Sequence, residues 1–513
     1  MLHTWSGLLL GWILFGVFLA GTVSFWRDEI SRWARPELSP AIDRVAVLDG
    51  AIGFLRGKAP DASSWTIELP NDRSAGTLVR WQPQPKKGGK ARAERGFHNM
   101  QWLDGSGRPV HVRETRGGDF FYRLHFDLHY MPVTWGRWLV GVAAMMMLVA
   151  IVSGVITHKR IFRDFFTFRP GRRQRSWLDG HNATAVLALP FHLMITYTGL
   201  ITLMNIYMPW AAIANYGGLK PMYRDLLTSE IKAERVEQAA PLPPLALIVA
   251  DAERRWHGGH AASVRVLQPG DAGQRVVVSR RLSDRLVDGG DPVRFNGAGQ
   301  HLSGPSAESA TLAARGAMIG LHAGRFADLA MRWLYFLCST AGTLMVATGL
   351  VLWTTKRREK FADATRPPFG FRVVERLNLA FIAGMPLAMT GFLWANRLLP
   401  VAMRGRADAE IAAMFQLWGV AIIVALLARP RYAWGGLFLA TAVSLVGLVV
   451  ADLFVTDTGL AASFVRGDWP MAAMEIAFLC LAAGFGWFAW RYWQQPTAPR
   501  PALRRTIAPR PAA

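Results

Sequence analysis

Cysteine is nearly absent from these 513 residues: Cys338 and Cys480 stand alone, each inside an apolar stretch. A disulfide framework for an outer domain is therefore excluded. Charge is scarce as well. Charged residues make up 18% of the chain and hydrophobic ones 51%, which excludes an ordinary soluble protein of this size. Acidic side chains are the rarer sign, 36 against 58 basic ones, giving a formal charge of +22. Histidine stops at His322, so the last third of the chain has none.

Long uncharged runs fill the space instead. Trp5–Trp26, Leu139–Thr157, Ala183–Tyr207, Trp333–Thr355, Leu377–Asn396, Ile411–Ala428 and Tyr432–Ala451 can each cross about 30 Å of hydrocarbon. A weaker run, Ala472–Trp490, is interrupted by Glu475. The first run is longer than a signal-peptide core, has no clear A-x-A site and ends at Arg27-Asp28, so a retained helix is expected. The basic segments KRIFRDFFTFRPGRRQR and KRREKFADATRPPFGFR, the pair Arg429 and Arg431, and the tail beyond Arg491 share one side if the N-terminus is cytoplasmic. Topology thus accounts for the basicity, and no nucleic-acid partner is expected.

Two long stretches fall on the outer side, and each reads as an amphipathic helix followed by a small antiparallel sheet. The first runs from the helix Val45–Arg56 through Trp65–Leu69 and Thr77–Trp81 to the turn Asp104-Gly105-Ser106-Gly107. The second runs from Leu245–Trp256 through Ser263–Leu267 and Arg275–Ser279 to Asn296-Gly297-Ala298-Gly299. Gln82–Arg95, rich in Lys, Pro and Gly, reads as a flexible excursion. The spans repeat too: His3 and Gly21 recur 178 residues later as His181 and Gly199. Arg137-Trp138 and Ser153-Gly154 recur 195 residues later as Arg332-Trp333 and Thr348-Gly349. The expected fold is an all-α polytopic membrane helix bundle of about eight spans with two small α+β domains. The boundaries are 1–26, 132–158, 181–207 and 322–355 for the first four spans, with outer domains at 27–131 and 208–321. Inner loops occupy 159–180 and 356–376, a separate C-terminal four-helix block 377–492, and a basic tail 493–513.

Seven of the twelve histidines lie in or at the ends of spans one to four: His3, His125, His129, His158, His181, His192 and His322. Imidazole in a bilayer is costly unless it faces a partner or cofactor. At about 1.5 Å per residue, His3, His158 and His181 belong near the inner face, His125, His129 and His322 near the outer face, and His192 near mid-membrane. Two groups at two depths suit two bis-histidine b-type haems, one in each leaflet. With no C-x-x-C-H motif, haem would be held non-covalently. The first ligand set is His3, His129, His181 and His322, with His125, His158 and His192 as alternatives. The repeat does not choose between His125 and His129, and a kink at Pro132 would restore its register. Gly7, Gly11, Gly16, Gly154, Gly199, Gly320 and Gly324 are read as gaps that admit a porphyrin between helices. Arg137 and Arg332 are read as interface anchors or partners of haem propionates, and Asp452 and Glu475 as an outer acidic pair.

The segments LHTWSGLLLGWILFGVFLAG, FFYRLHFDLHYMPVTWGRWLVG, SGVITHKRIFRDFFTFRP, DGHNATAVLALPFHLMITYTG and GLHAG…ATGLVLWTTKR resemble the PepSY-associated transmembrane family, over roughly residues 1–360. The two outer units look like PepSY domains. The resemblance implies an inner-membrane ferrisiderophore reductase with two haem b groups, periplasmic PepSY domains and both termini in the cytoplasm. It places family histidines at His3, His181 and His322, and at His125 or His129 in the second span. His158 stands where the fourth span has Trp353 and departs from the repeat. The implied partners are membrane lipid, a ferric siderophore as substrate and an electron donor. Two other functions stay open: a non-enzymatic PepSY protein that binds or regulates a periplasmic partner, and a quinol-linked haem electron carrier.

Overall fold

The computed structural model describes residues 2–38, 43–71, 73, 76–85, 99–157, 174–226, 233–289, 291–305, 309–361 and 367–494. His158, the basic loop up to residue 173, most of the 82–95 excursion and the C-terminal tail lie outside them. The longer helices are α1 Leu2–Ser24, α2 Arg27–Trp33, α3 Arg44–Lys58, α4 Gly118–Asp127 and α5 Val133–Thr157. They continue as α6 Gln174–Leu187, α7 Leu189–Thr202, α8 Leu245–Arg255, α9 Ala310–Ala323 and α10 Leu329–Arg358. The chain closes with α11 Phe369–Ile382, α12 Gly384–Leu398, α13 Arg406–Leu427, α14 Pro430–Val455 and α15 Trp469–Trp493. Among the described residues, seven helical stretches are long and apolar enough to cross a membrane, with α11 and α12 together forming one of them.

The expected third span is where the helices differ most from the sequence reading. It is not one rod: α6 and α7 meet at Ala188 with a bend of 69°, and counting the pair as a span raises the total to eight. Pro190 lies in the first turn of α7 and has no N–H for the preceding turn, so the chain restarts there.

The strands are β1 Ser64–Glu68, β2 Thr77–Gln82, β3 Met100–Leu103, β4 Pro109–Val110, β5 Ala261–Leu267, β6 Arg275–Arg280, β7 Val293–Phe295 and β8 His301–Ser303. They do not form two sheets. One eight-stranded antiparallel sheet runs β4-β3-β2-β1-β5-β6-β7-β8, joined at its centre by β1 and β5. Thr66 lies opposite Arg80 on one side and Arg265 on the other. The period-two alternation sends Trp65, Ile67, Val264, Val266, Val276, Val278, Val293 and Phe295 into one buried core. Leu48, Ala51 and Leu55 of α3 and Leu245, Ile248 and Ala252 of α8 cover that face.

In the helical part, α1 packs against α4, α5 and α10. Thr22 of α1 meets Ser339 and Thr343 of α10 through hydroxyl contacts of 2.8 and 3.2 Å. The last four spans do not stand apart, because α1 shares a core with them. Leu8, Phe15 and Ala20 pack in one buried cluster with Ala383, Ala388 and Phe392. The indole of Trp12 donates to Asn378 at 2.9 Å, and the Asn378 amide donates to the Leu350 carbonyl at 3.0 Å. At the sheet end, Phe392 stacks on Phe120 and meets Phe121 edge-on, fixing α4 against α12.

Two buried arginines in this joint are paired. Arg397 forks onto Asp452, donates to the Trp33 carbonyl at 2.8 Å and lies over the Trp33 ring. Arg406 pairs with Glu410, which also accepts from Thr115 and Asn396. The Trp33 indole donates to Glu475 at 3.4 Å. Asp452 is thus an arginine partner that also meets Glu475, as the sequence suggests, and Glu475 accepts from an indole.

Ile67 is fully buried on the central strand. Replacing it by Ala should destabilise the sheet by about 2–5 kcal/mol. In detergent-purified protein this should appear as a lower thermal midpoint for the sheet, followed by intrinsic tryptophan fluorescence.

Candidate functional site

An imidazole can be aimed only if something holds one of its nitrogens. Three of the sequence-selected histidines are held in the same way. His125 Nδ1 lies 2.7 Å from the Val17 carbonyl, His322 Nδ1 2.9 Å from the Ile195 carbonyl, and His181 Nδ1 2.8 Å from the Met345 carbonyl. A carbonyl only accepts, so Nδ1 carries the proton and Nε2 keeps its lone pair for a metal.

A glycine follows each accepting carbonyl by four residues, about one turn further on. A Cβ on Gly21 would sit 2.7 Å from His125 Nδ1, one on Gly199 2.7 Å from His322 Cε1, and one on Gly349 3.1 Å from His181 Cε1. These glycines are seats for imidazole rings. Val17 and Gly21 are related to Ile195 and Gly199 by the same 178-residue offset as His3 and His181. The other glycines read as porphyrin gaps do different things. Gly11 abuts Leu350, Gly16 touches Met385 and Gly320 abuts the Leu286 carbonyl, whereas a Cβ on Gly7 or Gly154 would meet nothing within 4 Å among the described residues. Gly324 ends α9 with a φ of 62°, turning the chain two residues after His322.

The histidines gather in two pairs. The His3 and His181 rings have centroids 6.4 Å apart, and the His125 and His322 rings 5.9 Å apart. With metal–imidazole bonds of about 2 Å, two ligands on opposite faces of one iron put their centroids about 6 Å apart. Both pairs fit that requirement. His3 lies near the start of α1 and the seat of His125 at Val17–Gly21 near its end, roughly 20–27 Å apart along the axis. Among the described residues no three His, Cys, Asp or Glu side chains converge to hold a bare metal ion, and a bis-histidine haem needs only two.

The second-span partner of His322 is His125. His129 lies elsewhere, exposed, stacked on Phe415 at 5.6 Å and edge-on to Phe120 and Tyr130. Helix α4 stops at Asp127, and Leu128 and Tyr130 adopt φ values of 45° and 63°. That turn cancels the one-turn relation between His125 and His129. His192 is buried against α10, its Nε2 3.3 Å from the Cys338 carbonyl and its ring edge-on to Phe18 and Phe191. The two arginines considered for propionates are already engaged. Arg137 donates to Asp127 at 2.8 Å, while Arg332 pairs with Glu29 and lies over Trp26.

Glu29 lies just beyond the first span and is buried. Burial alone would raise its pKa, but hydrogen bonds and charge from Arg73 and Arg332 outweigh it and hold the carboxyl below its ordinary value. This three-residue clamp ties the end of α1 to the start of α10.

The family model described as the PepSY-associated TM region matches residues 1–356. The Pseudomonas aeruginosa protein PA4219, itself described as uncharacterized, is 26% identical over 378 residues, covering 68% of this chain and 81% of that protein. The matched region contains both histidine pairs and all three seats.

Replacing Arg332 by Met removes one of the two cations on Glu29 and should cost about 2–4 kcal/mol, because a buried carboxylate is left under-compensated. The contribution of Glu29 in the unaltered protein is complete above the ordinary carboxylate range of about 4.3 and is lost as pH falls through its depressed folded value. Thermal midpoints across an acid pH series should therefore fall in the unaltered protein, and start lower and fall less in Arg332→Met.

Proposed function

This chain belongs to the PepSY-associated transmembrane family, and from that footing we propose that it is an inner-membrane electron-transfer protein holding two b-type haems and reducing ferric siderophore iron. The observation that carries the reading is the arrangement of two histidine pairs at opposite ends of α1, with three of the four imidazoles anchored through Nδ1. In this reading His3 and His181 hold the inner haem, and His125 and His322 the outer one. The sheet faces the periplasm, and the basic end of α10 at Lys356, Arg357 and Arg358 faces the cytoplasm.

Haem would supply one-electron redox chemistry, and the protein's share is ligation, spacing and access. The carbonyl anchors fix the rotation and tautomer of His125, His181 and His322, which favours a low-spin bis-histidine centre. The closely packed α1, α5 and α10 shield the path between the pairs from water. Iron(III) in the chelate would gain one electron at the periplasmic side and leave as iron(II), which a ligand set built for iron(III) binds less tightly. The lipid around the spans completes the low-dielectric setting.

The first experiment is a dithionite-reduced minus oxidised spectrum of detergent-purified protein, with pyridine haemochrome counting. Two low-spin b-type haems per chain are expected. His181→Ala, His322→Ala and His125→Ala should each leave one haem, and His129→Ala should leave two. Protein made with haem in supply that nonetheless carries none would end the reductase reading and favour a PepSY interaction protein. Stopped-flow mixing of the reduced protein with a ferric hydroxamate chelate should reoxidise the b-band, and a chelate that leaves it reduced would remove iron from the proposal.

A further inference from the structure

Buried indoles in this protein find acceptors. Trp12 donates to Asn378, Trp33 to Glu475, Trp65 to the Ala59 carbonyl, Trp394 to Ser444 and Trp418 to the Ala380 carbonyl. Trp353 does not: its Nε1–H is buried with no hydrogen-bond partner among the described residues. An unmet buried donor is a standing cost and calls for an explanation. The guanidinium of Arg357 lies 3.8 Å from the centroid of the Trp353 ring, and no carboxylate partners it among the described residues. Its neighbour Arg358 is satisfied by Glu375.

The unmet indole donor and the guanidinium over it occupy a defined place. Met345, Gly349, Trp353 and Arg357 follow one another at four-residue spacing along α10, the ridge of a helix surface. The first accepts from His181 Nδ1 and the second lies beneath the His181 ring. Trp353 and Arg357 come next, about 6 and 12 Å further toward the basic end of the helix than Gly349. Carboxylates carried by a group that His181 and His3 held would find a cation and an indole donor at this end of α10.

We propose that Trp353 and Arg357 form the anion site for the propionate carboxylates of the inner haem, the indole N–H and the guanidinium both donating to them. The proposal rests on the haem reading above. It assigns to α10 both the anchor of one iron ligand and the anchor of the macrocycle's acidic edge. A cation beside a propionate offsets negative charge near the iron, so its loss lowers the midpoint potential of that haem alone.

The test uses full-length protein in detergent: the unaltered chain, Trp353→Phe, Arg357→Gln and Arg357→Lys. Haem loss to apomyoglobin and the potentiometric titration of both b-type centres are followed. One of the two haems should leave about tenfold faster in Arg357→Gln, the size expected for losing a charge-assisted hydrogen bond. Its midpoint should drop while the other stays, and Arg357→Lys should restore most of the potential. Trp353→Phe keeps the ring and should show the faster loss without a large change in potential. Reconstitution with haem dimethyl ester, which has no carboxylates, should abolish the difference between the unaltered chain and Arg357→Gln. Two haems with unchanged release and potentials in both Trp353→Phe and Arg357→Gln would overturn the propionate site alone. A persistent difference with the ester would assign Arg357 a purely structural role and overturn it too. Unaltered protein without haem would overturn the parent reading, and this one with it.

Discussion

A helix carbonyl that already accepts the N–H four residues on still has a second lone pair, and the rest of the site depends on that spare capacity. His125, His181 and His322 each use it, so three imidazoles are anchored to backbone. Backbone anchors cannot swing aside as side chains can. The arrangement requires the ring to lie across the following turn, where any Cβ would intrude, and glycine is the residue that leaves the room. One lone pair and one missing methyl group thus set rotation, tautomer and approach at once.

Those anchors are useful only if the helices bearing them hold still. His125 rides on the short helix α4, which begins only after the Glu114–Gly117 approach has been secured by Thr115 bonding to Glu410. Phe120 and Phe121 then lock α4 onto Phe392. The last four spans therefore support the His125–His322 pair from a distance, holding the helix that carries His125. At the opposite pair, Asn378 ties α11 to Trp12 of α1 and to the Leu350 carbonyl of α10, within a residue of the His181 seat at Gly349. Both ends of the bundle are braced by the C-terminal spans, α12 and α13 at one and α11 at the other, with polar contacts that a lipid setting makes costly to break.

The spans were legible in the sequence because an apolar run long enough to cross a bilayer needs no tertiary partner to be recognised. The strand pattern was legible for the same local reason, period-two alternation at Trp65–Leu69 and Arg275–Ser279. That β1 would pair with β5 was not, since register between remote strands is written only in the packing of both. The repeat showed that His3 and His181 correspond. It could not show that His125 rather than His129 meets His322, because the turn rests on positive φ at Leu128 and Tyr130, residue types that do not advertise it. Gly199 was noticed for the right position and the wrong reason. Its partner Gly21, visible through the 178-residue offset, was the signal that a shared seat existed. The ionic joint of Arg397, Asp452, Arg406 and Glu410 was hidden because its members are brought together only by helix packing.

The β1–β5 seam also bears on how such a chain comes to exist. A single helix–sheet–helix unit would end in a bare edge strand alternating buried Trp65 and Ile67 with polar residues, an invitation to pair with any available strand. Antiparallel pairing across a two-fold axis lets a strand meet its own counterpart, so two copies of one unit close each other's edge. Carrying both units on one chain makes that closure intramolecular and independent of concentration. The two halves then become free to diverge, although each still supplies one histidine to each pair.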